Sequence, residues 1–183
     1  ETAGRIEFLL RCLQLLLRME EALEKKERGP MPKVKAAFQY IATAHVNTSF
    51  DEAQRNGFLR RSDRRVMNKA FLLHEAKQEV LRMAAAFQPA QERVLSLPGR
   101  GGSEALKLAV NDFRLQGKAT EHDVVVLGEL ADVLCGGDVS PVQEVSETRI
   151  LELEAEAFTR LCAYEKTQAR MEHILQKGKP LRN

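Results

Sequence analysis

The sequence predicts an all-α fold, with seven to eight helices in a bundle-like arrangement and two subregions. Apolar residues recur at spacings of three and four along most of the chain, and capping residues precede several of these segments. Alternating apolar and polar runs joined by Asn-Gly or Asp-Gly, which indicate β-hairpins, are missing from the sequence. Aromatic residues make up only 5% of the 183 residues and Trp is absent, so we expect an aliphatic core.

The first predicted helix covers about residues 5–28 and ends at the Gly-Pro-Met-Pro stretch of residues 29–32. Its polar residues up to position 18 form one narrow stripe, which consists of Glu7, Arg11, Gln14 and Arg18. The rest of this surface is mostly apolar, and one neighbouring helix cannot cover it. We therefore expect the chain to self-associate through this N-terminal helix, most simply as a two-fold dimer that buries it.

Three further helices are predicted before residue 88. A helix that starts near Lys33 carries an apolar face formed by Val34, Ala37, Phe38, Ile41 and Ala44. A short helix follows, with Ser49 as its N-cap and Gly57 at its end. After an arginine-rich loop, a long helix over about residues 68–87 carries an apolar face formed by Leu72, Leu73, Ala76, Val80, Met83, Ala84 and Phe87.

A linker is predicted at residues 88–102, QPAQERVLSLPGRGG. This stretch contains two prolines and three glycines and has no helical period. We therefore place a boundary here, between a first region of residues 1–87 and a C-terminal helical domain of residues 103–183. Ser103 is expected to cap the first helix of this domain, since glycines precede it and an apolar periodic segment follows it.

The C-terminal domain is predicted to contain four helices. The first has its apolar face at Leu106, Ala109, Val110 and Phe113, and ends at Gly117. A capping box, Thr-Glu-His-Asp at 120–123, begins the second helix, which ends at the Gly136-Gly137 pair. The β-branched run Val-Val-Val-Leu lies inside this segment, but the cap and the glycines favour a helix. After a loop, DVSPVQEVS, two closing helices are predicted over about 147–162 and 165–177.

Composition and charge exclude several classes of protein. The 28 basic and 26 acidic residues give a net charge of +2, whereas dedicated nucleic-acid binders usually have a strong basic excess. The longest apolar stretch, FLLRCLQLLLRM, is too short and too charged to span a membrane. Three widely spaced cysteines form neither a zinc motif nor a disulfide framework, which favours a reducing, cytoplasmic location. Because the chain opens without Met, we expect it to begin inside a longer protein.

No residue is predicted to be a catalytic group or a metal ligand. The histidines lie on four different predicted helices and form no local metal motif: His45, His74, His122 and His173. Cys135 follows a predicted helix, where the negative end of the helix dipole disfavours a reactive thiolate. The glutamates at positions 152, 154 and 156 are predicted to lie on a solvated face, and Pro-Gly-Arg-Gly-Gly lacks the spacing of a phosphate-binding loop.

Arginines crowd the loop that precedes the long helix. Five of them fall within eleven positions around Asp63: Arg55, Arg60, Arg61, Arg64 and Arg65. Three interpretations remain open, namely a solvated loop, a site for an anionic ligand such as a phosphate, and a nucleic-acid patch. The near-neutral net charge and the lack of aromatic residues for base stacking, apart from Phe58, disfavour the third. From the residues alone, the solvated loop is favoured over the anion site.

Three stretches resemble a known family, namely FDEAQRNGFLRRSDRRVMNKAFLLHEAK, VLCGGDV and KTQARMEHILQKGKPLRN. They are similar to the end of the crotonase (enoyl-CoA hydratase) module, and to the helical region behind it, in bacterial fusion proteins of 3-hydroxyacyl-CoA dehydrogenase and enoyl-CoA hydratase. The resemblance extends over nearly the whole chain and is loosest over residues 14–40. It implies the C-terminal helical part of a fatty-acid β-oxidation enzyme, or else a free-standing helical interaction module derived from one.

The resemblance also implies where the chemistry resides. The parent enzymes use NAD as cofactor and acyl-CoA as substrate, and their oxyanion-hole amides and catalytic glutamates would belong to a crotonase core upstream of residue 1. No cofactor is therefore expected in this chain, which would have no turnover of its own. In crotonases, helices of this part build subunit contacts and border the CoA site. The resemblance thus strengthens the anion interpretation, with Arg60, Arg61, Arg64 and Arg65 as candidate contacts for CoA phosphates.

Overall fold

A computed structural model describes residues 14–19, 31–89, 91–141 and 143–183 of the chain. These ranges are mostly helical and contain one two-stranded antiparallel sheet. The predicted all-α, bundle-like class is confirmed, with the small sheet as an addition. None of the helices in these ranges is both long enough and apolar enough to cross a membrane.

Seven α-helices and one short 3-10 helix are complete within the described ranges. The α-helices are α1 (Pro32–Ala42), α2 (Phe50–Arg55), α3 (Leu72–Ala84), α4 (Gly99–Leu115), α5 (Glu121–Leu134), α6 (Glu147–Cys162) and α7 (Glu165–Lys177). The 3-10 helix, Lys69–Phe71, leads directly into α3. Residues 14–19 are also helical, and the remainder of the first predicted helix lies outside the described residues.

The predicted helix caps are largely confirmed. The Ser49 side chain accepts a hydrogen bond from the backbone amide of Glu52 at the start of α2. Thr120 and Asp123 form the predicted capping box of α5, in which each side chain accepts from the other residue's backbone amide. These local bonds explain why the boundaries of α2 and α5 are close to the predicted ones.

Two short strands and an earlier start of α4 lie within the segments predicted to be a linker and a loop. Strand β1 (Val94–Ser96) pairs antiparallel with β2 (Glu144–Ser146), with Leu95 opposite Val145. Both of these side chains are buried. Ser103 is not an N-cap, because α4 begins four residues earlier, and its buried hydroxyl instead donates to Asp132 Oδ1 on α5 at 2.5 Å. The domain division itself stays a prediction.

One aliphatic core connects the two predicted subregions. Its members come from the helical residues 14–19, from α1, from both strands and from α4 to α6, and include Leu16, Phe38, Val110, Leu134 and Ile150. Within the described part of the first helix, the side chains at positions 15, 16, 17 and 19 are all buried in this core. These four side chains are therefore unavailable for self-association, which stays a prediction for the rest of that helix.

Helix α3 contains no buried residue, a property that it shares with α7 among the described helices longer than ten residues. The whole predicted apolar face is exposed, and the exposed fraction is 83% for Leu73, 65% for Val80 and 73% for Phe87 just beyond the helix. An amphipathic period normally indicates a face packed on the core. Here the period is present, but the described part of the chain does not cover the face.

Candidate functional site

The arginine-rich segment is an ordered turn between α2 and the 3-10 helix. The Asp63 carboxylate accepts a hydrogen bond from the Arg60 backbone amide at 2.9 Å, and the Asp63 amide donates to the Arg60 carbonyl at 3.1 Å. The same carbonyl accepts from Gln54 Nε2 at 2.9 Å. Asp63 is therefore part of the turn, and these bonds set the direction in which the loop leaves α2.

Arg18, from the polar stripe of the first helix, holds this turn against the core. Its guanidinium donates to the carbonyl of Phe58 and lies 3.8 Å from the Asp63 carboxylate. Two links thus attach the loop to a helix about forty positions earlier in the sequence. At Arg18, the predicted polar stripe therefore contacts the turn as well as solvent.

The four candidate arginines fall into two pairs. Arg64 forms ion pairs with Glu75 at 3.5 Å and Glu79 at 3.1 Å on α3. Arg65 pairs with Asp51 at 3.6 Å and lies 5.8 Å from the centre of the Phe50 ring. Both guanidinium groups therefore already have anionic partners within the chain, and an external anion would compete with those carboxylates.

The other pair, Arg60 and Arg61, is exposed, as are Arg64 and Arg65. No described acidic side chain forms an ion pair with Arg61. Two adjacent exposed guanidinium groups form a donor set that suits a phosphate, since each presents several N–H groups in a planar fork. Whether these residues bind CoA phosphates stays a prediction.

A cavity of about 700 Å³ opens directly beside the turn; we call it the loop cavity. Its described lining comes from the first helix, the end of α1, the segment after α1 and the start of the turn: Gln14, Leu15, Arg18, Tyr40, Ile41, His45, Val46, Asn47, Ala53, Phe58 and Leu59. The Tyr40 ring lies 5.1 Å from His45 and 5.2 Å from Phe58, centre to centre. Because Phe58 and Leu59 immediately precede the exposed arginines, an apolar wall adjoins a cationic edge.

Polar groups at the loop cavity are held by the segments on either side of α2. The Asn56 side-chain amide donates to Asn47 Oδ1 at 2.8 Å and lies 3.3 Å from His45 Nε2. On the same segment, the Thr48 amide and hydroxyl bind the Glu52 carboxylate, each at 2.7 Å, and they lower the pKa of Glu52.

A second, mainly apolar cavity of about 530 Å³ lies between α1, α4, α5 and α6; we call it the bundle cavity. Its wall includes Ile41, Leu130, Phe158 and Glu154, and Glu154 is only 5% exposed. This corrects the prediction that Glu154 is solvated together with Glu152 and Glu156, which pair with Arg149 on the surface. Glu154 shares the apolar period of α6, with Ile150 four residues before it and Ala157 three residues after it, and this spacing was the signal of its burial.

The C-terminal residues form a clamp on the turn between α4 and α5. Arg170 on α7 donates to Asp123 Oδ1 at 2.8 Å, to Asn183 Oδ1 at 2.7 Å and to Thr120 Oγ1 at 3.3 Å. We call these four residues the C-terminal clamp. Burial alone would raise the pKa of Asp123, but the hydrogen bonds from Thr120 and Arg170 outweigh it, so the pKa lies below its usual value.

Other titratable candidates are structural. His122 is buried, its Nε2 lies 2.8 Å from Thr167 Oγ1, and burial followed by the charge of Arg170 lowers its pKa. Burial, with the charge of Asp132 in support, raises the pKa of the Cys135 thiol to about 12, which agrees with the predicted low reactivity. Over the described ranges, no group of three or more His, Cys, Asp or Glu side chains is placed to hold a metal ion.

Most of the chain is similar to a curated bacterial protein. The chain is 38% identical over 160 residues to a probable 3-hydroxyacyl-CoA dehydrogenase of Bacillus subtilis strain 168. The aligned region covers 87% of the chain but only 20% of that protein, so the chain spans about a fifth of the length of this relative. No protein-family model matches the chain, and no solved structure does.

Proposed function

We propose that the chain is the C-terminal helical region of a bacterial, cytoplasmic β-oxidation enzyme of the 3-hydroxyacyl-CoA dehydrogenase and enoyl-CoA hydratase type. The observation that carries this proposal is the 38% identity, over 87% of the chain, to a probable 3-hydroxyacyl-CoA dehydrogenase. The crotonase part of the proposal rests on the sequence motifs around the arginine turn. In such an enzyme the chain would support packing and subunit assembly and would border the acyl-CoA site, while other parts supply the catalytic groups and the NAD site.

The arginine turn supports the acyl-CoA part of this proposal. Coenzyme A is anionic at its nucleotide end, and guanidinium groups bind phosphates through paired, charge-assisted hydrogen bonds. Arg61 is favoured as a contact, together with its neighbour Arg60, because Arg61 is exposed and no described acidic side chain forms an ion pair with it. Arg64 and Arg65 are secondary candidates, since their carboxylate partners lie at 3.1–3.6 Å and a phosphate would have to displace them.

The size and the apolar lining of the loop cavity also support an acyl-CoA as the ligand. Its volume of about 700 Å³ is within the range of small-molecule sites, which is roughly 300–1,000 Å³. Phe58 and Leu59 line it and are followed directly by Arg60 and Arg61. A ligand with an anionic head and a less polar arm, such as an acyl-CoA, would place these two parts on adjacent surfaces of one turn.

Calorimetric titration tests this proposal on the chain itself. Coenzyme A is titrated into the wild-type chain and into the Arg60→Ala/Arg61→Ala double variant, with pantetheine, which has no phosphates, as the matched ligand. We expect the double variant to bind CoA at least tenfold more weakly, because each charge-assisted hydrogen bond contributes roughly 1.5–3 kcal/mol. Both chains should bind pantetheine equally.

The control variant is Arg100→Ala, which removes an exposed arginine from α4 and should leave CoA affinity unchanged. Equal CoA affinity in the wild type and the double variant would show that the two arginines are only solvated. The chain alone should neither hydrate crotonyl-CoA nor oxidise 3-hydroxybutyryl-CoA with NAD. Turnover in either assay would contradict the placement of the catalytic groups outside this chain.

A second candidate function is a helical interaction module derived from such an enzyme. The exposed apolar face of α3 favours it, because single exposed apolar residues are ordinary but a contiguous apolar helix face indicates an interaction surface. In this case the chain would bind neither CoA nor an acyl-CoA, and the same titrations would distinguish the two functions.

A further inference from the structure

The bundle cavity and the loop cavity adjoin each other at the end of α1. Tyr40, His45 and Val46 line the loop cavity, residues 42–44 line the bundle cavity, and Ile41 lines both. The two linings therefore meet within one short segment. We infer that the bundle cavity binds the alkyl chain of a medium-chain acyl-CoA whose nucleotide end lies at the arginine turn. This inference rests on the proposed function and assigns the class of acyl chain.

The bundle cavity follows the direction of two helices, which suits a linear ligand. Positions 123, 126, 130 and 133 on α5 and positions 154, 158 and 161 on α6 line it, and consecutive positions are three or four residues apart. Each set therefore forms one stripe along its helix. The stripe on α5 extends over about 15 Å, since the rise is about 1.5 Å per residue. An extended alkyl chain of about ten to twelve carbons has a similar length, because carbon–carbon bonds are about 1.5 Å long.

The lining of the bundle cavity is suited to hydrocarbon and is accessible from solvent. Leu130 and Ala157 are buried, whereas Val126, Leu127 and Phe158 are only partly buried, so a chain can enter without opening the core. Protein interiors rarely contain voids much larger than a water molecule. A volume of about 530 Å³ is instead within the range of small-molecule sites, roughly 300–1,000 Å³. Water finds few polar partners on such a surface, which favours an apolar occupant.

The charged groups on the wall favour a neutral alkyl chain over a charged ligand. Asp123 pairs with Arg170 at 2.8 Å, and Glu129 pairs with Arg160 at 2.7 Å, so these carboxylates already have cationic partners. Glu154 is only 5% exposed and lies at one end of the stripe on α6. Because covering a carboxylate with hydrocarbon is unfavourable, Glu154 should limit the length of the bound chain.

Calorimetric titration with a series of acyl chains tests the inference. CoA, butyryl-CoA and decanoyl-CoA are titrated into the full chain, each below its critical micelle concentration. We expect decanoyl-CoA to bind at least 100-fold more tightly than butyryl-CoA, because each further buried methylene group should strengthen binding roughly three- to fourfold. Hexadecanoyl-CoA should bind no more tightly than dodecanoyl-CoA, and a continued rise in affinity would overturn the assignment to medium chains.

Val126→Phe fills part of the bundle cavity from α5. This variant should bind decanoyl-CoA at least tenfold more weakly and should keep its affinity for CoA. The matched control, Val125→Phe, makes the same change at the adjacent position, which is not among the described lining residues, and should behave like the wild type. Phe158→Trp makes the corresponding test from α6. Positions 126 and 158 are only partly buried, and circular dichroism shows whether each variant is folded.

Decanoyl-pantetheine, which carries the alkyl chain but no phosphates, separates this inference from the proposed function. If the chain bound decanoyl-pantetheine but not CoA, and Val126→Phe weakened this binding, the bundle cavity would be supported and the role of the arginine turn contradicted. Equal affinities for CoA, butyryl-CoA and decanoyl-CoA would overturn the inference and leave the proposed function intact. An effect of chain length that Val126→Phe and Phe158→Trp do not change would also overturn it, and would place the alkyl chain elsewhere, such as on the exposed apolar face of α3. Absence of binding of both decanoyl compounds would overturn the inference and the proposed function together.

Discussion

Replacement of Arg170 by Ala tests whether the C-terminal clamp stabilises the fold. The guanidinium binds the carboxylate of Asp123 and the side chain of Asn183, and thereby connects α7, the start of α5 and the end of the chain. The side chains of Arg170 and Asp123 are only 16% and 27% exposed, so water does not fully replace the lost bonds. The replacement therefore leaves a partly buried carboxylate without its charged donor.

We expect Arg170→Ala to lower the free energy of unfolding by about 2 kcal/mol at pH 7, because a net hydrogen bond to a charged group contributes roughly 1.5–3 kcal/mol. For a chain of this size, the midpoint of thermal unfolding should fall by about 4–8 °C. The assay is thermal and urea unfolding followed by circular dichroism. Lys177→Ala, an exposed change on the same helix, should shift the free energy by less than about 0.5 kcal/mol.

The pH dependence of this loss provides a sharper test. The pKa of Asp123 is lower in the folded chain than in the unfolded chain. Its contribution to stability is therefore fully present above the unfolded pKa of about 3.9, and is lost as pH falls through the folded pKa. The difference between wild type and Arg170→Ala should shrink from pH 7 to pH 3. An equal difference at both pH values, or one below 0.5 kcal/mol at pH 7, would refute the assigned role of the pair.

Two further predictions concern packing. Gly99→Ala should destabilise the chain by at least about 2 kcal/mol more than Gly117→Ala. Both glycines have a positive φ, so the backbone strain of the two variants is similar. Of the two, only a Cβ at Gly99 would meet another group, because it would lie 2.0 Å from the Val139 carbonyl oxygen. Equal shifts of the melting temperature in the two variants would contradict this. Ile150→Ala, at a fully buried core position, should cost about 2–5 kcal/mol with an unchanged urea m-value, and a cost below 1 kcal/mol would show that α6 is not packed as described.

Much of the fold could be predicted because the deciding interactions are local. The N-caps at Ser49 and Thr120 and the terminating glycines act within a few residues of the helix ends that they set. The sheet could not be predicted in this way. Each strand has only three residues, and the pairing of Leu95 with Val145 joins positions fifty apart in sequence. No local period identifies strands this short.

The start of α4 shows why the helix predicted to begin at Ser103 begins four residues earlier. A Pro-Gly-Arg-Gly-Gly stretch normally indicates a flexible turn. Here the Gly99 amide donates to the Cys135 carbonyl at 2.9 Å, and a Cβ at Gly102 would lie 2.5 Å from Pro98 and 3.1 Å from the Met31 sulfur. The glycines permit close packing at the start of a helix, and that requirement depends on partners distant in the sequence.

The sequence predicts where the candidate site lies but not which charged side chains pair with each other there. The arginine cluster and its position in a loop follow from the sequence, but the ion pairs of Arg64 and Arg65 do not. Arg64 is paired because α3 brings Glu75 and Glu79 beside it, and Arg65 is paired because α2 presents Asp51. The apolar period of α6 indicates that Glu154 is buried, as observed. The prediction that it is solvated followed instead from the general tendency of glutamates to face solvent.

Equilibrium binding of crotonyl-CoA to the isolated chain, with the thioester analysed after the titration, tests whether the chain binds an acyl-CoA without turning it over. We expect saturable binding, and recovery of crotonyl-CoA that has not been hydrated. This result would be expected of a region that borders an acyl-CoA site and lacks its catalytic groups. Absence of binding would contradict the acyl-CoA assignment of the arginine turn and the loop cavity, and recovery of 3-hydroxybutyryl-CoA would contradict the claim that the chain is non-catalytic.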